Sequence, residues 1–464
     1  MAFGISGAAL IIKGVLPAES YAVPASFMAY TMSLMNVGML GLDQSLLRFY
    51  HEPPAGSTGR SMFAACTRLS VLVMLLVGGI GSIFFAKPLA AAFGLGANGA
   101  GLVPFLFLNA ALYMLVRYLN VLLRLENNVR AYTTETLWMQ ACLNLIYLLP
   151  RLCYPGRRAL CWVRCAACGV AVFYWRRASK GQTKEAPVRG LRPYAHIYRA
   201  ALPYGIVLAP AAILIPLYRA ICLSFLGNYA PAAEQGSFDF AYTLAQLVTT
   251  IQAGFSTYWG PDVYAHYRTE QERIGRIHDL LNLLIFGFFC LLVMFEDIIF
   301  IIFPAKSACL PYFPLMMLAV VFSILCEGTV YGNTIARKPF QDTIGTAVGV
   351  AANIAVCAVL VPRFGVMGAA VGLVAANATM FLYRTVTGQY YYRTIPSFSR
   401  TICGFLLAVG VAVIGVVFAH NFIIKFVLTA AILFIYCNIY RAQLYKLWQI
   451  FMGFVRRYLL HSQA

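Results

Sequence analysis

The sequence predicts an all-α, polytopic membrane protein with about 14 transmembrane helices. Of its 464 residues, 61% are hydrophobic and only 11% are charged, which is about half the charged fraction of an ordinary soluble domain. Two uncharged runs, Leu69–Ala86 and Thr343–Pro362, are each long enough to cross roughly 30 Å of hydrocarbon. A chain with this composition is not expected to be stable as a soluble protein. Its composition and the length of its apolar runs therefore together predict a membrane protein.

The first part of the chain carries apolar runs that are bounded by charges, Pro and Gly. The six predicted helices are Phe3–Leu16, Val23–Leu42, Leu69–Ala86, Gly101–Leu123, Thr136–Leu149 and Ala159–Trp175. The last two fall short of the roughly 20 residues that usually span a bilayer. Together the six helices define residues 1–175 as an N-terminal six-helix lobe.

A segment rich in Lys and Arg, at 176–199, separates this lobe from a second one. The predicted helices beyond it are Ala200–Leu226, Phe238–Val263, Leu280–Ile302, Tyr312–Ala336, Thr343–Pro362, Val366–Tyr383, Thr401–Phe418 and Phe422–Tyr440. We therefore predict a basic cytoplasmic linker at 176–199 and a C-terminal six-helix lobe at 200–386. Two extra helices and a basic tail occupy 387–464.

The net charge of +19 is explained by where the Lys and Arg residues lie. They concentrate in alternate connections, above all in the linker at 176–199 and in the tail after Tyr440. The positive-inside rule then predicts that both termini are cytoplasmic. A nucleic-acid partner is not expected, because that role needs a soluble basic platform with interleaved aromatic residues. Attraction to anionic membrane lipids is the expected role of the basic loops.

A short internal repeat relates the two lobes. Ser26–Thr31 recurs loosely as Phe238–Thr243, in the second predicted helix of each lobe. Each copy is followed by a helix end rich in aromatic and charged residues, at Arg48–Glu52 and at Tyr264–Arg268. Because six is an even number, both lobes would have the same orientation, as in parallel-repeat transporters whose cavity lies between the halves.

The stretch Arg151–Cys168 differs in composition from every other predicted helix, since it holds four cysteines and four arginines. Cys161, Cys165 and Cys168 suggest metal ligands, but their spacing does not match a structural zinc site. The other hypothesis is that this stretch is out of frame with the rest. A genuine Arg164 at mid-membrane would cost several kcal/mol unless it faced a wet cavity.

Charged residues inside predicted helices are few, so each is a candidate functional residue. Arg117 and Arg219 carry the guanidinium fork that binds a phosphate or an acidic sugar, unless they snorkel to an interface or pair with a carboxylate. Asp239 and Glu327 are candidates for binding a proton or another cation that is coupled to transport. For both acids the alternative is a buried, paired carboxylate.

The sequence lacks the motifs of enzymes. It has no His-Glu-x-x-His motif, no Gly-x-x-x-x-Gly-Lys loop and no Gly-x-Ser-x-Gly elbow. The predicted extracytoplasmic loops are too short to form a catalytic domain. Transport without a cofactor is therefore the predicted activity, and an enzyme is not expected.

Two patches carry a resemblance to a known family. Gly41–Glu52 (Gly-Leu-Asp-Gln-Ser-Leu-Leu-Arg-Phe-Tyr-His-Glu) resembles the end of that family's second helix, and Pro362–Gly372 (Pro-Arg-Phe-Gly-Val-Met-Gly-Ala-Ala-Val-Gly) resembles the loop that leads into its twelfth. The family is that of the polysaccharide flippases (Wzx-like) of the multidrug/oligosaccharidyl-lipid/polysaccharide exporter superfamily. The pattern of six, six and two helices extends this resemblance over nearly the whole chain and implies a MATE-like fold.

The resemblance implies that the protein flips a polyprenyl-diphosphate-linked oligosaccharide across the bacterial cytoplasmic (inner) membrane for surface polysaccharide biosynthesis. It implies that Arg48, Arg117 and Arg219 contact the anionic head group. It also implies coupling to a proton or sodium gradient, with Asp239 and Glu327 as coupling residues, and a polysaccharide polymerase or other assembly protein as a partner. The alternative is a cation-coupled multidrug or small-molecule antiporter of the same superfamily, which would present acidic residues to its substrate.

Overall fold

The computed structural model describes residues 10–126 and 194–445, except 12, 52, 96–98, 330, 337 and 339, and also residues 132–134, 449 and 452. Every regular element in this part of the chain is helical. The α-helices are α1 (Ala22–Met39), α2 (Leu42–Phe49), α3 (Gly59–Phe84), α4 (Ala86–Ala92), α5 (Val103–Leu125), α6 (Ala195–Tyr229), α7 (Ala232–His266), α8 (Gln271–Ile302), α9 (Phe313–Glu327), α10 (Tyr331–Ile335), α11 (Phe340–Tyr391), α12 (Phe398–Val417) and α13 (Phe422–Ile439). Short 3-10 helices lie at Ala18–Tyr21, Gly99–Leu102 and Pro304–Cys309.

Within the described residues, eight helices are long and apolar enough to cross a membrane, and the bent pair formed by α1 and α2 raises the number to nine. The chain is therefore an all-α, multi-pass membrane protein, as the sequence predicts. The predicted helices Thr136–Leu149 and Ala159–Trp175 lie outside the described residues, and so does the whole of Arg151–Cys168. The total of fourteen helices stays a prediction.

Several helices begin before the apolar run that predicted them, because hydropathy marks the membrane segment and not the helix end. The sequence predicted a start at Leu69, whereas α3 begins at Gly59. The hydroxyl of Thr58 accepts a hydrogen bond from the Ser61 backbone N at 3.2 Å, and the Ser61 hydroxyl accepts one from the Thr58 backbone N at 2.8 Å. This capping box satisfies two backbone donors and determines the start of α3.

The described residues form two compact units. Unit 1 comprises Met1–Thr250 and Pro339–Thr379, and unit 2 comprises Ile251–Lys338 and Met380–Ala464. The boundary of the units at 250 falls inside α7, and the boundary at 379 falls inside α11, after its break at Gly365. The lobe boundaries that the sequence predicted, at 175, 199 and 386, stay predictions.

In unit 1 the predicted helix Val23–Leu42 ends early and bends by 55° into α2. Leu40 and Gly41 cause the bend, since both have left-handed backbone angles, with φ of 48° and 70°. A Cβ at Gly41 would lie 2.1 Å from the carbonyl oxygen of Gly205, so α2 approaches α6 more closely than any side chain allows. The hydroxyl of Ser45 then donates to the carbonyl oxygen of Ala201 at 2.7 Å. These contacts hold α2 against α6.

Helix α6 continues through three prolines with help from a neighbouring helix. Pro216 has no N–H, so the carbonyl of Ala212, one turn earlier, loses its helical donor. The side-chain amide of Asn36 in α1 donates to that carbonyl at 2.8 Å. Polar side chains in membrane helices thus replace the backbone bonds that prolines remove.

The sequence predicted separate helices on either side of residues 363–365, and α11 is indeed broken there. Gly365 has a φ of 52° and a ψ of −127°, which is not helical. The backbone N of Val366 donates to the carboxylate of Glu234 in α7 at 3.1 Å, so the start of the second segment has an acidic cap. The positive φ at this position favours glycine, and a Cβ there would also lie 2.1 Å from the same carboxylate, which would have to shift.

In unit 2, α8 and α13 form an antiparallel pair. The side-chain amide of Gln443, beyond the end of α13, donates to Asp279 at 2.9 Å. The rings of Phe286 and Tyr436 stack with their centroids 3.8 Å apart. At the opposite end Lys425 donates to Glu296 at 2.8 Å. The pair therefore has polar contacts at both ends and aromatic packing between them.

Candidate functional site

The most deeply buried charges of unit 1 meet at Asp239 in the first part of α7. The Nζ of Lys13 lies 2.6 Å from Oδ2 of Asp239 and donates to the hydroxyl of Thr243 at 2.8 Å. Arg219 of α6 forms an ion pair with the other carboxylate oxygen. Asp239 is fully buried and Lys13 is almost so. We call Lys13, Arg219 and Asp239 the α7 charge cluster.

The α7 charge cluster has two cations for one carboxylate, and therefore a net charge of +1. Arg219 is its accessible member, with 21% of its side chain exposed, whereas Lys13 has 4%. The Arg219 guanidinium also lies 4.9 Å from the ring centroid of Tyr242, which holds it by a cation–π contact. The arrangement suits the binding of an anion by Arg219, because Lys13 by itself neutralises Asp239.

A second group of cations lies on α2 and α5. Arg117 of α5 is 3.7 Å from Asp43 of α2, and 39% of the Arg117 side chain is exposed. The Asp43 carboxylate also accepts a hydrogen bond from the side-chain amide of Gln44 at 3.0 Å. Arg48, in the last turn of α2, places its guanidinium 5.7 Å from the ring centroid of Phe49. Asp43 is thus held by more than one partner, and Arg117 is only loosely paired.

The three predicted arginines do not converge on one point. Gly205, which contacts Gly41 at the start of α2, and Arg219 are separated by fourteen positions on α6, or roughly 21 Å along the helix axis. Arg48 and Arg117 belong to the end of unit 1 near α2, and Arg219 belongs to the other end. Their roles in binding a head group stay predictions.

Of the two predicted coupling acids, Asp239 is the paired carboxylate of the α7 charge cluster. Glu327 is the last residue of α9, and its side chain lies outside the described residues. Their roles in coupling stay predictions. Within the part of the chain that the structure describes, no group of three or more His, Cys, Asp or Glu side chains could hold a metal ion. The cysteines of Arg151–Cys168 are not in that part.

Sequence reasoning missed three buried charges that lie inside predicted helices. Lys13, Glu296 and Lys425 are each fully or almost fully buried, and each has an oppositely charged partner. All three lie inside predicted apolar helices, so the criterion that selected Arg117 and Arg219 also applies to them.

No protein-family model and no curated protein matches this chain. Several solved structures do match this chain. One is "Lipid II flippase MurJ, inward closed conformation", with a TM-score of 0.65, 13% identity, and coverage of 95% of this chain and 99% of that chain. Another is "Inward-facing conformation of a multidrug resistance MATE family transporter of the MOP superfamily", with a TM-score of 0.53, 15% identity, and coverage of 84% and 93% respectively.

This chain has the fold of these transporters. The likeness to MurJ extends over almost the full length of both chains. The MATE-like fold expected from the sequence is therefore confirmed, and both similar structures are transport proteins rather than enzymes. The polysaccharide (Wzx-like) branch of the superfamily stays a prediction.

Proposed function

We propose that this protein is a flippase that moves a polyprenyl-diphosphate-linked oligosaccharide from the cytoplasmic to the outer leaflet of the bacterial cytoplasmic membrane. The fold shared with a lipid II flippase over 95% of the chain supports this proposal. The observation that carries it is the partly exposed Arg219, which shares the carboxylate of Asp239 with Lys13, together with the exposed, loosely paired Arg117. A diphosphate is a doubly anionic group that guanidinium forks bind well.

In the proposed mechanism, the two cationic groups of unit 1 act in sequence. With both termini in the cytoplasm, Arg48 and Arg117 lie towards the cytoplasmic side, and Arg219 lies towards the outer side. The head group would contact the first pair on entering and Arg219 before release, while the lipid tail remains in the bilayer. A stepwise transfer of this kind lowers the cost of moving a charged head group through a medium of low dielectric constant.

The alternative is a cation-coupled multidrug antiporter, which the likeness to a MATE transporter supports. A cationic drug needs an acidic residue to which it can bind. Four buried acids of the described residues, Asp43, Asp239, Asp279 and Glu296, each lie within 4 Å of a Lys or Arg side chain. These four acids are thus already paired, which favours an anionic substrate over a cationic one.

The proposal includes an ion gradient as the energy source and assembly proteins as partners. Asp239 and Glu327 are the proposed coupling residues for a proton or sodium ion, and no cofactor is required. A polysaccharide polymerase would use the flipped product on the outer side. The basic connections would contact anionic lipids of the cytoplasmic leaflet.

Complementation of a bacterium that lacks its own polysaccharide flippase tests this function. Expression of the full chain should restore surface polysaccharide and clear the lipid-linked oligosaccharide that accumulates in the cytoplasmic leaflet. Measuring resistance to cationic drugs in the same cells tests the alternative. If the cells became resistant to cationic drugs and still accumulated lipid-linked oligosaccharide, the result would contradict the flippase proposal and support the antiporter.

A further inference from the structure

Unit 2 contains a buried charge cluster that the proposed transport path does not use. Lys425 lies in the first turn of α13 and is completely buried. Its Nζ is 2.8 Å from Oε1 of Glu296 and 2.6 Å from Oδ2 of Asp297, both near the end of α8. We call Lys425, Glu296 and Asp297 the α8–α13 cluster. It joins the two helices of an antiparallel pair at one end.

The charges of the α8–α13 cluster do not balance. Two carboxylates face one ammonium, so the cluster has one surplus negative charge when all three groups are ionised. The Glu296 side chain is fully buried, whereas 24% of the Asp297 side chain is exposed. An uncompensated charge is costly inside a membrane protein, and it is most costly at the fully buried Glu296.

Three polar atoms of this region lack hydrogen-bond partners among the described residues. They are Oε2 of Glu296, the hydroxyl of Thr429, and Oδ2 of Asp297, which lies 2.6 Å from Nζ of Lys425 without hydrogen-bonding geometry. The side chains of Glu296 and Thr429 are fully buried. Thr429 follows Lys425 by one helical turn, so it lies on the same face of α13, towards α8. Because Oε2 of Glu296 accepts no hydrogen bond from the described residues, protonation of that oxygen breaks no existing contact.

The surroundings offer few other charges. Along α9 the first charged residue is Glu327 at its far end, and the charged residue of α12 is Arg400. Arg400 lies 3.2 Å from Asp279 at the opposite end of α8. Among the described residues, Lys306 and Cys309 of the following 3-10 helix are the other buried titratable groups near this end of α8. Glu296 and Asp297 each form an ion pair with Lys425 and with no other cation among the described residues, so the surplus charge must be compensated within the cluster.

We propose that the α8–α13 cluster binds one proton, which is carried by Glu296 and exchanges with water through Asp297. The ammonium of Lys425 already occupies the position between the carboxylates where a metal cation would lie, so a proton fits the site and a sodium ion does not. Uptake converts the Glu296 carboxylate and one hydronium into a neutral carboxyl and water. Release returns the proton by way of the exposed Asp297 and leaves the cluster with its negative charge.

This inference does not depend on the substrate of the transporter. If the flippase function holds, the cluster is a proton site in unit 2 that is separate from Asp239 in unit 1. If the function proves different, the charge imbalance and the burial of Glu296 remain. The test therefore measures protonation itself, without any transport.

Infrared difference spectroscopy of the full chain in lipid vesicles tests the proposal. At about pH 7, where an ordinary carboxyl is ionised, the protein should show the C=O stretch of a buried protonated carboxyl. Glu296→Gln should remove this band. Asp297→Asn should remove it as well, because Glu296 and Lys425 then form a neutral pair that needs no proton.

Asp279→Asn is the matched control, since Asp279 lies in the same helix and pairs with one cation, Arg400. It should leave the band unchanged. The proposal is overturned if the unaltered protein shows no such band at about pH 7, or if the band survives in Glu296→Gln or in Asp297→Asn. Displacement of the band by sodium would equally overturn it, because the site would then exchange its proton for a metal cation.

Discussion

The ammonium of Lys13 lies 2.6 Å from the carboxylate of Asp239, although 226 positions separate the two residues in the chain. Asp239 pairs with Arg219 at the same time. A single buried carboxylate therefore links the beginning of the described chain, α6 and α7 within unit 1. Lys13 and Arg219 share the carboxylate of Asp239. Variants of Lys13 and Asp239 should therefore test stability, and a variant of Arg219 should test substrate binding.

Asp239→Asn should destabilise the protein by about 3–5 kcal/mol, because it leaves the buried Lys13 without its counter-ion. The measurement is the temperature at which the detergent-solubilised protein loses its monodisperse peak in size-exclusion chromatography. The double variant Lys13→Met with Asp239→Asn should recover much of this loss, since Arg219 is partly exposed and keeps its contact with the ring of Tyr242. Equal stability of Asp239→Asn and the unaltered protein would show that the pairing contributes nothing.

Arg219→Gln and Arg117→Gln should each reduce flipping about tenfold to a hundredfold, the value of one charge-assisted hydrogen bond. Both variants should fold, since Lys13 still neutralises Asp239 and Gln44 still donates to Asp43. The readout is the rate at which lipid-linked oligosaccharide becomes accessible on the outer leaflet.

The control for these two variants is Arg273→Gln. Arg273 forms an ion pair with Glu270 three positions earlier, at 2.6 Å, and both side chains are about 40% exposed. Such a surface pair contributes about 0–1 kcal/mol, so its loss should not change flipping. Normal flipping by Arg117→Gln and Arg219→Gln would remove both arginines from the proposed substrate path.

A series of glycine substitutions should separate backbone strain from close packing. Gly41→Ala combines a φ of 70° with a Cβ only 2.1 Å from the Gly205 carbonyl, so we expect a loss of more than about 2 kcal/mol. Gly56→Ala has a φ of 79° with no atom within 4 Å, and should cost about 1–2 kcal/mol from strain alone. Gly79→Ala, in the middle of α3 with no neighbour within 4 Å, should be neutral or stabilising.

Thermal stability in one detergent gives the order of these three variants. The expected order is Gly79→Ala as the most stable, then Gly56→Ala, then Gly41→Ala. If Gly41→Ala matched Gly56→Ala, the close approach of α2 to α6 would contribute nothing beyond the strain of the bend.

The proposed orientation predicts opposite labelling of two exposed loops in intact cells. Ala55, between α2 and α3, is flanked by Arg48 and Arg60 and should be cytoplasmic. His420, between α12 and α13, lies in a loop without Lys or Arg and should be outside. A membrane-impermeant thiol reagent should therefore label His420→Cys and not Ala55→Cys, with the unaltered chain as the blank. The reverse pattern would invert the orientation and the proposed direction of flipping.

Local signals allowed the sequence to predict some features closely. Pro362 and Gly365 together marked the break in α11, because one lacks a backbone donor and the other adopts a positive φ. The bend between α1 and α2 was missed, since Leu40 adopts its left-handed angle only where α2 packs against α6. The start of α3 was also missed, because polar capping residues carry no hydropathy signal.

The apolar runs are sufficient to predict an all-α, multi-pass membrane protein, because segments of this length are stable only as helices in hydrocarbon. The same runs identify Arg117, Arg219 and Asp239 as candidate functional residues, since any charge in hydrocarbon is expensive. The pairs Lys13–Asp239 and Lys425–Glu296 each join residues more than a hundred positions apart, and the sequence does not show them. The sign of a charge is a property of its own residue, whereas its compensation depends on which helices pack together.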